Sequence, residues 1–356
     1  MRVPGASWMA VVITAGLAAL TAPAAAQDGV CRSGVSALMR FALALLACLV
    51  AATTPLRAQA WPQRTVKFVV PFGPGSATDI DARLFADRLS ARWGKSVVVD
   101  NRPGGDGLVA IGAFVGANDD HTLLFASAGT FTVHPYEHER LPYDARLDLL
   151  PIASVAAVVL ATSVPDNLDA RTLSELAAAA RARPGKLNAA AAQGLSDLLL
   201  SGFLVTSGIY MERIPYRDIL QAPNDLAEGR IQVLMSSLAV VLPFTQTGRI
   251  RVLAVHSSTR APVALDVPTA IEAGYPALTL EGLNGLFGPR GMADELRKRI
   301  ADDVLAAAAD PVIPARLASI GQIMQLGGPA EFTSAIDEQR ATLAAIAKSL
   351  GLKPVP

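Results

Sequence analysis

Beyond residue 60, short runs of β-branched and apolar residues alternate with stretches whose apolar positions recur every three or four residues. The first pattern belongs to buried strands and the second to amphipathic helices, so the chain reads as α/β. Residues 65–72 (TVKFVVPF) open as a strand. Ile80, Leu84, Phe85, Leu89 and Trp93 then fall on one helix face, and Thr78 and Asp81 bracket a start resembling a capping box. Further strands are predicted at 96–99, 122–126, 187–191, 211–214, 231–235, 251–255 and 279–287, and residues 152–164 form one long apolar run. Thr172 and Glu175 make a capping box for an alanine-rich helix that Pro184-Gly185 stops. Helical patterns fill the gaps, and three more, near 292–308, 312–320 and 329–349, finish the chain. No repeat of fixed period appears, which sets solenoids aside. The expectation is a two-domain α/β protein with a helical C-terminal segment.

The first 60 residues break this pattern. They hold two apolar blocks, 8–26 and 41–52, and only five charges. Met39-Arg40 supplies a start and a positive n-region, residues 41–50 an apolar h-region, and Ala58-Gln59-Ala60 a small-residue cleavage site before Trp61. We read a secretory signal with translation starting at Met39 and cleavage after Ala60, residues 1–38 being an upstream over-extension. The competing reading is a transmembrane hairpin or a double signal, but the second block is too short to cross roughly 30 Å of hydrocarbon. Either way the body is exported. Both cysteines, Cys31 and Cys48, precede the cleavage site, so the body has no thiol nucleophile, disulfide or thiolate metal site.

Charge narrows the function classes. Lysine plus arginine and aspartate plus glutamate are 31 each, and removing segment 1–60 leaves 27 basic and 30 acidic residues, a net charge of −3. A nucleic-acid binder needs a basic surplus to neutralise phosphates. Catalytic constellations are thin as well. No G-x-S-x-G elbow occurs beyond residue 60. His134, Glu137 and His138 could suggest a metal cluster, but Pro135 disfavours a helix there, and the stretch reads as a solvated surface loop. His121 and His256 sit at strand edges and read as structural. No cofactor and no metal are expected.

The stretch Pro71-Phe72-Gly73-Pro74-Gly75-Ser76-Ala77-Thr78-Asp79 carries more information. It joins a buried strand to a helix N-terminus, where unpaired N–H groups and the positive dipole end favour an anion. Glycine lets a ligand approach the backbone closely. The stretch lacks the lysine of a phosphate loop and the G-x-G-x-x-G of a dinucleotide fold. An ordinary strand–helix turn is the alternative. Residues alone point to a secreted α/β binding protein more than to an enzyme.

Taken in order, the motifs resemble the Bug-type periplasmic receptors of tripartite tricarboxylate transport systems. The matching pieces include VKFVVPFGPGSATDIDAR (66–83), VVVDNRPGGDG (97–107), HTLLFAS (121–127) and LPYDARLDLLPIASV (141–155). RTLSELAAAARARPGKLN (171–188), DLAEGRIQVLM (225–235), LPFTQTGRIRVLAVHSSTR (242–260), DVPTAIEAGYP (266–276) and GLFGPRG (285–291) continue the register. The resemblance implies a two-domain Venus-flytrap fold, type II-like, with two crossover strands near 161–165 and 280–287. Domain one would be 61–163 plus 285–356 and domain two 164–284, with the ligand in the cleft between them. It further implies a monomeric periplasmic receptor for a small carboxylate, working with the membrane components of the transporter and having no catalysis of its own. A ligand sensor or an enzyme on the same fold is the alternative.

Carried onto this chain, the ligand site comprises Phe72 as an apolar wall, Gly75, Ser76, Ala77, Thr78 and Asp79 in the first loop, Thr130, then Gln193 and Gly194, then Ser236. Asp79 either caps the helix or faces an amino group on the ligand. Departures from the family pattern cluster at this site: Gly73 and Ser76 replace a usual proline and glycine, Leu198 a histidine, Met235 and Ser236 a Phe-Asp, and Leu283 a tryptophan. A site short of polar partners cannot desolvate several carboxylates. The expected ligand is therefore a monocarboxylate with an apolar or aromatic body rather than citrate. Arg217 could answer a second carboxylate only by turning into the cleft.

Overall fold

Strand β1 (Val66–Val70) has parallel partners on both edges, β2 (Val97–Asn101) and β3 (Thr122–Ser127). A strand covered on both faces must be apolar almost throughout, and every residue of β1 except Lys67 is buried. These strands belong to a computed structural model that describes residues 61–351. The signal, start and cleavage features read at 1–60 lie outside the described residues. Strand β10 (Gly282–Gly288) pairs antiparallel with β3 and with β4 (Leu150–Val158), and β11 (Ile323–Gly327) covers the far edge of β4. The first sheet therefore runs β11-β4-β10-β3-β1-β2.

A second sheet runs β7-β6-β8-β5-β9. Its members are β5 (Leu160–Pro165), β6 (Asn188–Ala191), β7 (Glu212–Arg213), β8 (Val233–Ser237) and β9 (Ile250–Val255). Strand β6 lies parallel to β7 and β8, while β5 is antiparallel to β8 and β9. The long apolar run at 152–164 is thus two strands in two sheets. The chain leaves the first sheet at Val158 and enters the second at Leu160, and it returns between β9 and β10. The elements around each sheet are called the first and second lobes below. The boundary expected at 163/164 falls inside β5, and that at 284/285 inside β10.

Helix α1 (Ala77–Trp93) starts earlier than its apparent capping box. Ser76 is the N-cap, its Oγ accepting the Asp79 N–H at 3.2 Å. Thr78 and Asp81 are buried instead. Thr78 Oγ1 donates to Asn284 Oδ1 (3.2 Å), and Asp81 accepts from Asn284 Nδ2 (2.6 Å) and Gln322 Nε2 (2.9 Å). Helices α2 (Leu108–Ala117), α3 (Ala128–Thr132) and α4 (His134–Glu137) follow in the first lobe. The second lobe holds α5 (Leu173–Ala182), α6 (Leu195–Ser207), α7 (Ala222–Ala227) and α8 (Leu238–Gln246). The expected cap of α5 is present, with Thr172 Oγ1 accepting from the Glu175 N–H at 3.1 Å.

Aromatic packing centres the first lobe. Phe125 lies 5.8 Å from Phe68 and 6.4 Å from Phe85, and Phe287 contacts Phe131 at 5.2 Å and Phe332 at 5.0 Å, between ring centroids. Gly285 leaves room for Phe332 on β10, since a Cβ there would sit 2.4 Å from the ring. The chain ends with α9 (Asp294–Ala308), α10 (Val312–Ser319) and α11 (Pro329–Ser349), close to the predicted helices. Phe332 and Ile336 of α11 pack in the first lobe, while Leu343 and Ile346 join the cluster holding Leu195, Leu198 and Phe203 of the second. Among the described residues no helix is long and apolar enough to cross a membrane.

Candidate ligand-binding site

Parallel strands deliver their C-terminal ends, and the helix starts that follow, to one edge of a sheet, where ligands bind in open α/β folds. Here four such turns, two from each sheet, meet around one small cavity of about 60 Å³. The β1–α1 turn supplies Phe72, Ser76, Ala77 and Thr78, and the β3–α3 turn Ser127, Gly129 and Thr130. From the second lobe, β6–α6 supplies Ala192, Gln193, Leu195 and Ser196, and β8–α8 supplies Ser236, Ser237 and Val240. No charged side chain lines this cavity. One water needs roughly 10–15 Å³ on such a measure, so the space suits a carboxylate with a few carbons.

The first loop is held rigidly. Gly75 has φ +91° and its N–H donates to Asp79 Oδ2 at 2.8 Å. Asn101 Nδ2 donates both to Asp79 Oδ1 and to the Phe72 carbonyl, each at 2.9 Å, and Arg83 Nε donates to Asp79 Oδ2 at 3.1 Å. Asp79 is therefore a brace behind the loop, and neither it nor Gly75 lines the cavity. Thr130 stands differently. It is 2% exposed, lines the cavity, and its hydroxyl has no hydrogen-bond partner. An unpartnered buried hydroxyl costs roughly 1–3 kcal/mol, and a ligand oxygen in the cavity would remove that cost.

Phe72, Ser76, Gln193 and Ile219 also line a larger outer chamber of about 510 Å³. Its walls carry ionisable side chains: Asp106, Glu137 and His138 come from the first lobe, and Asp197, Arg213, Arg217 and Asp218 from the second. Gly194 lines this chamber too. Arg213 is engaged within its own lobe, paired with Asp197 and donating to Ser201 Oγ at 3.1 Å. Protein packed along one side of Glu137, with the nearby Asp106 charge, pushes its carboxyl up to about 7, while Arg213 pulls the other way. Its other side is open to solvent, which moderates that shift.

The tripartite tricarboxylate transporter family receptor model matches residues 81–352. The chain belongs to this family. It is 31% identical over 325 residues to a UPF0065 protein of Bordetella bronchiseptica, covering 91% of this chain and 97% of the relative. It is 29% identical over 305 residues to BugT of Bordetella pertussis, covering 84% and 93% respectively. The adipate-bound structure of Rpa4515 from R. palustris superposes with a TM-score of 0.76 at 29% identity, over 83% of this chain and all (100%) of that one. The fold is thus that of the Bug-type periplasmic binding proteins, a family of solute receptors.

Within this receptor His134 and His121 hold structure. His134 is fully buried at the start of α4, where a solvated loop was expected; Pro135 sits in the first turn, a position that needs no N–H. His134 Nε2 faces the Asp106 carbonyl (2.8 Å) and so carries the proton, leaving Nδ1 to accept from Tyr143 Oη (2.6 Å). Neither nitrogen is left for a metal, although Glu137 and His138 are close by. His121 is likewise committed, with Nδ1 on Asp120 (2.6 Å) and Nε2 accepting from the Gln63 N–H (3.1 Å).

Of the residues expected at the ligand site, Phe72, Ser76, Ala77, Thr78, Thr130, Gln193 and Ser236 come together on the inner cavity, Gly194 lies on the outer one, and Gly75 and Asp79 stand behind the loop. Among the other lining residues, which sequence reasoning missed, are Ser127, Gly129, Leu195, Ser196 and Ile219. The first four flank residues that were found, and the strand–turn–helix register could have reached them. Ile219 is an apolar residue in an irregular loop and gives no such signal.

Proposed function

We propose that this chain is a periplasmic solute receptor that binds a small carboxylate between its lobes and presents it to the membrane components of a tripartite tricarboxylate transporter. On this reading it acts as a monomer, catalyses nothing, and closes about the two passages of the chain between sheets. The observation that carries the reading is the inner cavity, walled by four strand–helix turns and lined by Thr130, whose buried hydroxyl has no partner in the protein. Helices α1, α6 and α8 all begin at its wall, and a helix start contributes typically 0.3–1 kcal/mol toward an anion. A similar structure holds adipate. The cavity has hydroxyls and backbone donors but no cation, so it suits one carboxylate and not the three of citrate. The rest of the ligand extends past Phe72 and Ile219 into the outer chamber.

A thermal-shift titration with mono-, di- and tricarboxylates tests this, because a ligand that binds only the native state raises the melting temperature. Straight-chain mono- and dicarboxylates are expected to raise it and citrate to leave it unchanged. A shift with citrate alone, or turnover of any acid by the purified protein, would reject the reading.

A further inference from the structure

Three consecutive residues of the second lobe press into the first. Gln193 Nε2 donates to the Pro71 carbonyl at 3.2 Å. Gly194, at φ +80°, lies so close to α3 that a Cβ on it would be 3.1 Å from the Gly129 carbonyl oxygen. Leu195, 4% exposed, fills the space over Gly129. A Cβ on Gly129 would lie 2.3 Å from Leu195 Cγ and 2.5 Å from its Cδ1, and the third nearest atom is Leu195 Cδ2 at 3.2 Å. Gly129 does not have positive φ. Its backbone conformation therefore permits a side chain there, and the three atoms that would crowd a methyl group most all belong to the residue arriving from across the cleft. Both Gly129 and Leu195 also line the inner cavity.

We propose that Leu195 is a specificity-determining residue: seated in the notch at Gly129, it closes the inner cavity and restricts the buried end of the ligand to a carboxylate head that is unbranched at the adjoining carbon. A branched head occupies the space of the leucine methyls and holds Leu195 off the notch, so the lobes cannot meet as they do here. This deepens the receptor reading and rests on it. Selectivity then comes from a contact between the lobes as well as from contacts to the ligand.

Titration calorimetry with hexanoate and adipate against their 2,2-dimethyl-substituted counterparts tests the proposal. The parent protein is expected to bind the straight chains at least tenfold tighter, and Leu195→Ala to narrow that preference. Gly129→Ala is expected to weaken the straight-chain acids at least tenfold while it still unfolds in one cooperative transition without ligand. The double variant Gly129→Ala/Leu195→Ala is expected to recover binding, which separates a lost notch from a damaged fold. Equal affinity of the parent for straight and branched acids, unchanged binding by Gly129→Ala, or no recovery in the double variant overturns the proposal. A protein that binds none of these acids refutes the receptor reading instead. Small-angle scattering then decides the notch: a larger radius of gyration for Gly129→Ala than for the parent supports it, and equal radii overturn it.

Discussion

Thr130 and Gly75 show how single residues can be assigned by opposite signs. Thr130 buries a hydroxyl that nothing in the protein satisfies. Thr130→Val is therefore expected to leave the ligand-free protein as stable or more stable, because an orphaned polar group costs roughly 1–3 kcal/mol. The same change is expected to weaken a bound carboxylate about ten- to hundredfold, the loss of a hydrogen bond to a charged group. Chemical denaturation and titration calorimetry read the two effects separately, and unchanged affinity would remove Thr130 from the site. Gly75 was expected to serve the site by letting a ligand approach the loop backbone closely. In the structure the nearest atom to an added Cβ is Leu220 Cδ1 at 4.0 Å, so space is present and the obstacle is φ +91°. Gly75→Ala is expected to cost about 1–2 kcal/mol of stability, seen as a lower denaturation midpoint even without ligand.

At the scale of elements, two buried titratable groups each tie neighbouring elements of one lobe together and act in opposite directions with pH. His256, just after β9, donates from Nδ1 to the Leu278 carbonyl (2.8 Å) and accepts at Nε2 from Thr162 Oγ1 of β5 (2.8 Å). Burial pulls its pKa from 6.5 down to about 4. The unfolded chain takes up a proton near 6.5 while the folded one resists, so this contribution is intact above 6.5 and is lost as pH falls through about 4. At about 1.4 kcal/mol per pH unit it is on the order of 3 kcal/mol. Urea titrations at successive pH values should show that slope, and His256→Gln should flatten it. Asp81 links α1 to β10 and to the start of β11 through Asn284 and Gln322, and burial raises it from 3.8 to about 7. Its folded state holds the proton, so stability is full below 3.8 and declines as pH rises through 7. Asp81→Asn is expected to melt higher than the parent at pH 8, with the advantage shrinking at pH 5 and gone below 3.8. Neither role was visible in the sequence, where Asp81 passed for a capping residue and His256 for a strand-edge histidine. Periodicity revealed the strands of both sheets except β11, whose exposed edge residues Met324 and Leu326 carry no clear pattern. Nor can hydrophobicity show a change of sheet, because Val158, Val159 and Leu160 are equally apolar on both sides of the passage.

At the scale of the whole molecule, the site exists only where the lobes meet. The turns at Phe72–Thr78 and Gly129–Thr130 were legible, at least in part, because glycine, hydroxyl and helix-start signals coincide there. Ile219 was not, and Leu195 was marked only by its place beside Gly194, because an apolar side chain that closes a cavity looks like one that fills a core. The central claim is that a carboxylate sits in the cavity of about 60 Å³, with its oxygens on Thr130 and the start of α1, and with its body leading into the outer chamber. A crystal structure of the protein with the straight-chain acid that most raises its melting temperature tests this directly. The expected result is a carboxylate within hydrogen-bonding distance of Thr130 Oγ1 and the α1 backbone N–H groups, with Leu195 seated on Gly129. An acid bound elsewhere, or bound only in the charged outer chamber with the inner cavity holding water, would contradict it.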